Sequence, residues 1–143
     1  MITVDVNLLL YAVVTGFPQH RHARAWWERS INDAVPIGLT HPAIFGFLRI
    51  ATNPRVLRSP LEIHAAVGYV TGWLQRPNVE VLTPGPRHLE IAFGLLGGVG
   101  TAGNLTTDAQ LAAYAIERDA TLCSNDTDFG RFSGLRWANP LQG

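Results

Sequence analysis

Four carboxylates in this chain stand where acids commonly do chemistry. Asp5 ends the first β-favouring run, Asp108 opens a late helix, and Asp126 and Asp128 lie in the polar turn Ser124-Asn125-Asp126-Thr127-Asp128. Carboxylates brought together repel one another, which raises their pKa values unless a cation sits among them. An all-oxygen donor set without paired His or Cys favours Mg2+ over Zn2+, with Mn2+ able to substitute. Mg2+ usually takes one or two carboxylates and leaves positions open for water and substrate phosphate oxygens. Such a site activates water and stabilises charge on a phosphate undergoing in-line displacement, so phosphodiester hydrolysis is the reaction class that follows.

Each acid also has a purely structural reading. Asp5 can cap the helix after it, Asp108 can favour the positive end of its own helix, and Asp126 and Asp128 can build an Asx turn. Their joint placement on one edge of the fold decides between the two readings, and that depends on the elements that carry them.

Ile2 to Val4 is a short apolar run leading into Asn7 to Tyr11, a strand followed at once by a helix. Gln19 to Asn32 reads as a second helix, with Ala23, Trp26 and Trp27 near one stripe. Val35 to Leu39 reads as a strand. Pro42 to Ala51 reads as an apolar helix that must stop before Asn53-Pro54. Pro60 fits the first turn of a helix reaching about Leu74. Val79 to Leu82 is again β-branched, and Arg87 to Leu96 again helical. Gly97 to Gly103 reads as a glycine-rich loop, after which Thr106 or Thr107 caps a helix from about Asp108 to Arg118. Thr121 to Cys123 is a strand, and Leu135 to Trp137 a final edge strand.

Repeated β/α alternation without a linker predicts a single α/β domain over residues 1–143, a short parallel sheet with helices on both faces. In such sheets ligands bind beyond the strands' C-terminal ends, where Asp5 and Asp126 emerge. A helix joining parallel strands runs antiparallel to them, so its N-terminus, and Asp108 with it, returns to the same edge. Three carboxylates remote in sequence are therefore expected to meet.

Composition narrows the partners. The 143 residues are 47% hydrophobic, enough for one core, and the formal net charge is +0, so an anionic partner must be held locally. All 11 basic residues are Arg, whose planar fork suits phosphate. A lone Cys123 and an N-terminus without a signal-like segment point to the cytoplasm, and no apolar run is long enough for a membrane span.

Other signals are weaker. Gly98-Val99-Gly100-Thr101-Ala102-Gly103 matches G-x-G-x-x-G but follows a helix, so it lacks the strand that a dinucleotide fingerprint requires. His20, His22, His41, His64 and His88 have no ligand spacing and read as surface or capping residues. Trp26, Trp27, Trp73, Phe45 and Phe47 read as core or dimer contacts rather than base-stacking platforms. Arg49 and Arg55 fit either phosphate contacts or structural ion pairs.

Four motifs, in order and spanning nearly the whole chain, carry a family resemblance: Asp5-Val6-Asn7; Phe47-Leu48-Arg49-Ile50-Ala51-Thr52-Asn53-Pro54-Arg55; Thr107-Asp108-Ala109-Gln110-Leu111-Ala112-Ala113; and Ser124-Asn125-Asp126-Thr127-Asp128-Phe129. Together they resemble the PIN-domain toxins called VapC. The resemblance implies a PIN-like fold and the toxin of a type II toxin–antitoxin pair. It implies a Mg2+-dependent endoribonuclease that cuts a structured RNA of the translation machinery, tRNA or rRNA. A cognate VapB-like antitoxin would hold it inactive, DNA would be met only through that antitoxin, and the chain would form a homodimer. The resemblance puts Asp5, Asp108, Asp126 and Asp128 in the catalytic pocket, with Asp5, Asp108 and Asp126 as metal ligands. Many members have a Glu just before the Phe-Leu-Arg stretch, where this chain has Gly46.

Two other readings compete. A phosphoacceptor receiver or an aspartate-nucleophile phosphatase also places an Asp after its first strand, but both resemble patterns that need a Lys, and this chain has none. A degenerate PIN module that binds RNA or a protein without cutting is made plausible by Gly46.

Overall fold

The computed structural model describes residues 1–142. Five strands, β1 (Ile2–Val4), β2 (Ile37–Thr40), β3 (Val79–Leu82), β4 (Thr121–Cys123) and β5 (Arg136–Ala138), pair in the order β3-β2-β1-β4-β5, all parallel. All four residues of β2 are buried although successive side chains point to opposite faces, so both faces of the sheet are covered. From β1 the chain steps outward to β2 and β3, then returns across β1 to β4 and β5. That reversal makes a topological switch point between β1 and β4, the place where such sheets open a crevice at their C-terminal edge.

Six helices connect the strands: α1 (Val6–Val13), α2 (His20–Asn32), α3 (His41–Ala51), α4 (Ile63–Leu74), α5 (His88–Val99) and α6 (Thr106–Glu117). Leu8 and Leu9 of α1, Phe47 of α3, Leu111 of α6 and Ile37, Leu39 and Leu122 of the sheet form the centre of one core. Trp73 of α4 seals it on one side, its ring 5.5 Å from Trp27 and 5.2 Å from Phe47. Of the aromatics expected at core or dimer positions, Trp27, Phe47 and Trp73 are buried, Trp26 packs at the core margin, and Phe45 is 65% exposed.

Several strand and helix ends shift by one or two residues from the sequence expectation, and three larger differences have a local reason. Pro60 does not open α4. The Glu62 side chain does, by accepting from the backbone N–H groups of His64 and Ala65, and the helix starts at Ile63. Gly97 and Gly98 are not in a loop; α5 continues through Val99 because it packs along α6, and it ends only at Gly100, whose φ of 78° is left-handed. No threonine side chain caps α6, because Thr106 is its first residue and its hydroxyl instead donates to the carbonyl of Gly103. The stop at Asn53-Pro54 holds. α3 ends at Ala51, and the Asn53 carbonyl then accepts from Val56 and Leu57 in the following turn.

Candidate metal centre

Asp5 leaves β1 with its backbone N–H bonded to the Cys123 carbonyl, which locks the end of β1 to the end of β4. Its Oδ1 accepts from the Val6 N–H at 2.7 Å and caps α1. Its Oδ2 accepts from the Ser124 hydroxyl at 2.7 Å. Ser124 is fully buried and ties three segments together. The same hydroxyl oxygen accepts from Asn7 Nδ2 at 3.3 Å and from the Asp126 backbone N–H at 3.0 Å. Asp126 in turn accepts from the Asp128 N–H at 2.9 Å and caps a short 3-10 turn, Thr127–Arg131. The C-terminal segment braces this loop: Trp137 Nε1 donates to the Ser124 carbonyl, and Asn139 Nδ2 donates to Asn125 Oδ1.

Asp108 comes from the first turn of α6, where unpaired N–H groups and the helix dipole favour negative charge. One carboxylate oxygen each from Asp108, Asp126 and Asp128 lies within 4.8 Å of the others, so a single cation can bridge all three. Asp5 is not in that triplet. It lies deeper, 8% exposed, close enough that its charge acts on Asp108. With one hydrogen bond on each oxygen, Asp5 keeps a lone pair on both. The structure thus brings all four expected acids to one edge and adds Asp128 to the residues that converge on a cation.

The electrostatics are those of an uncompensated acidic pocket. Partial burial and the charges of Asp5, Asp126 and Asp128 push the Asp108 carboxyl up to about 6. Burial also raises Asp5, opposed by its hydrogen bonds from Ser124 and Val6 and reinforced by Asp126. The all-oxygen donor set and the mutual repulsion both fit a hard divalent cation such as Mg2+ or Mn2+. Among the described residues no histidine joins the cluster. His88, expected at the surface or in a cap, is buried with its ring 4.5 Å from Tyr114, where side-chain packing outweighs solvation. Burial pushes the neighbouring Cys123 thiol up to about 11, which leaves no thiolate nucleophile at the site.

The capping and turn roles of Asp5 and Asp126 are therefore real, and the same hydrogen bonds aim both acids into the pocket. Ser124, Asn7, Trp137 and Asn139 had no assigned role in the sequence reading. The only signal for Ser124 was a hydroxyl residue directly after a strand and two before an acid, the pattern of a Ser/Thr turn.

Gly46 is buried in α3 against the start of α1. A Cβ there would stand 2.7 Å from Val6 Cγ2. Val6 therefore fills the space into which an acidic side chain at position 46 would have to project.

Residues 2–135 match the family model of the PIN domain. The chain is 62% identical over 142 residues to Ribonuclease VapC33 of Mycobacterium tuberculosis, covering 99% of each chain. This chain belongs to the PIN-domain family of VapC ribonuclease toxins. It is also 39% identical over 137 residues to Ribonuclease VapC37 of the same organism, covering 96% of this chain and 95% of that one. Solved structures share the fold at lower identity. VapBC2 from Rickettsia felis, bound to a DNA fragment from its promoter, aligns at a TM-score of 0.71 with 19% identity over 97% of this chain and 98% of that one. Mycobacterium tuberculosis VapC20, a sarcin-ricin loop cleaving toxin, aligns at 0.69 with 18% identity over 95% of this chain and 99% of that one. Three of the four motifs that carry the resemblance hold the acids of the pocket.

Proposed function

We propose that this VapC protein is a Mg2+-dependent endoribonuclease, with Mn2+ able to substitute, and the toxin of a type II pair restrained by a VapB-like antitoxin. The observation that carries the metal dependence is the convergence of Asp108, Asp126 and Asp128 oxygens within 4.8 Å, in a pocket where Asp108 is already pushed up to about 6. A divalent cation there supplies Lewis-acid stabilisation of the charge that builds on a phosphodiester and makes water a competent nucleophile. Asp108, Asp126 and Asp128 would hold the cation, and Asp5 would add negative charge beside them. Ser124 and the α1 N-terminus fix the Asp5 carboxylate so that it need not reorganise when substrate arrives.

The substrate in this reading is a structured RNA of the translation machinery, tRNA or rRNA; VapC20, which shares the fold, is a sarcin-ricin loop cleaving toxin. The antitoxin reading is supported by structures of VapBC complexes, two of them bound to DNA; in this reading the chain meets DNA only through the antitoxin. A homodimer is part of the same proposal, as is a cytoplasmic location. No helix among the described residues is long and apolar enough to cross a membrane. The test is RNA cleavage by the purified protein with and without Mg2+ or Mn2+. Cleavage that needs the metal and disappears in Asp5→Ala and Asp108→Ala, with circular dichroism unchanged, supports the mechanism. Cleavage that persists in EDTA, or in both variants, rejects it. A non-cleaving RNA-binding module, the alternative raised by Gly46, would bind RNA without cutting it under any of these conditions.

A further inference from the structure

Beside the acids, α3 and the first turns of α6 enclose a cleft of about 220 Å³, lined by Pro42, Phe45, Gly46, Arg49, Thr107 and Gln110. Thr107 adjoins Asp108 at the start of α6, and Gly46 packs on Val6, the residue after Asp5, so the cleft is built on the same segments as the candidate metal centre. Phe45 and Arg49 are one helical turn apart on α3 and share its face toward the cleft. The Phe45 ring is 65% exposed although the core nearby is closed. Arg49 is exposed and, unlike Arg24, Arg87, Arg118 and Arg136, makes no ion pair among the described residues.

We propose that this cleft is the subsite for a nucleotide flanking the scissile phosphate, with Phe45 stacking on its base and Arg49 holding its phosphate. The inference rests on the ribonuclease reading and adds the residues that seat the substrate. Its physical basis is charge and shape together. The protein carries no net charge, and the acids at the pocket repel a phosphodiester, so RNA needs a cation fixed locally beside them. An aromatic face next to that cation receives any base, because every base has a π-face. A second copy of the chain is the competing occupant, and the oligomeric state of Phe45→Ala separates the two.

The experiment uses the full chain carrying Asp108→Asn to prevent cleavage, and a fluorescein-labelled, mixed-sequence, single-stranded 12-nucleotide RNA followed by anisotropy across a salt series. Phe45→Ala should weaken binding about tenfold, and Phe45→Trp should restore it. Arg49→Ala should lower the slope of log affinity against log salt by about 0.7, the loss of one single-strand phosphate contact, and Arg49→Lys should keep the slope. Failure of the parent to bind this RNA, or unchanged affinity in both alanine variants, overturns the proposal. So does a fall in oligomeric state for Phe45→Ala by sedimentation velocity, which would assign the ring to a contact between copies. Cleavage by the unsubstituted chain is measured separately with Mg2+. Its absence alongside the expected binding pattern would refute the nuclease reading and leave the subsite standing.

Discussion

Lowering the pH from 7 to 5 should weaken divalent-metal binding by about tenfold, and the reason lies in Asp108. Its carboxyl is pushed up to about 6 by burial and by Asp5, Asp126 and Asp128, and a carboxylate must be ionised to ligate a hard cation. With that value, roughly nine-tenths of the molecules have the ligand ready at pH 7 and roughly one-tenth at pH 5. Metal binding at pH 5 must therefore displace about one proton. Asp5, also raised, adds to the loss. An ordinary aspartate, near 3.9, would still be more than about nine-tenths ionised at pH 5, and affinity would barely change. Isothermal titration with Mn2+ in two buffers of different ionisation enthalpy reads both the affinity and the protons released. Stability should move the opposite way in the metal-free protein. A carboxyl whose folded pKa lies above its unfolded value contributes stability that is complete below about pH 4 and lost as pH rises through about 6. The metal-free chain should thus melt lower at pH 7 than at pH 5, and Mg2+ should raise the melting temperature more at pH 7. An affinity that changes less than about twofold, with no proton release at pH 5, would refute the claim that these acids are held in mutual repulsion until a cation arrives.

The same repulsion predicts that Asp108→Asn abolishes cleavage yet stabilises the metal-free fold at pH 8. After discounting for partial exposure, the gain should be on the order of 1 kcal/mol, about 3 °C in melting temperature, and it should vanish near pH 4. Ser124→Ala should lower metal affinity or kcat by about 10- to 100-fold, because it removes the hydroxyl that orients Asp5 and the Asp126 backbone; kinetics indistinguishable from the parent would show that the acids orient themselves. Gly46→Glu should destabilise the protein by about 1–3 kcal/mol in urea unfolding, from the contact with Val6. In a Val6→Ala background that cost should shrink, and activity compared there tests whether an acid at 46 contributes to the site.

Much of the site was legible because two of its acids sit in local signals. Asp5 and Asp126 are placed by hydrogen bonds to residues one and two positions away, which spacing along the chain reveals. Asp108 was found through the antiparallel run of a connecting helix, a rule of topology rather than of contact. The helix boundaries that differed are cases where a weak local preference met a stronger neighbour. Glycines at 97 and 98 lower helix propensity by about 1 kcal/mol each, less than the packing of α5 along α6 returns. Ser124 and the bracing by Trp137 and Asn139 left no comparable trace. Ser124 and Asp5 are 119 residues apart, and nothing in the residues between announces that they touch.

By itself the sequence determined the alternation of strand and helix, the parallel sense of the strands, and hence the single edge at which its acids emerge. These follow from periodicity and from the handedness of L-residue chains, which act over a few residues at a time. Only the tertiary structure decided that β4 returns to pair with β1 rather than extending the sheet beyond β3. That pairing is a choice among packings of similar local elements, settled by how the whole core fills, and it draws Asp5, Asp108, Asp126 and Asp128 into one pocket.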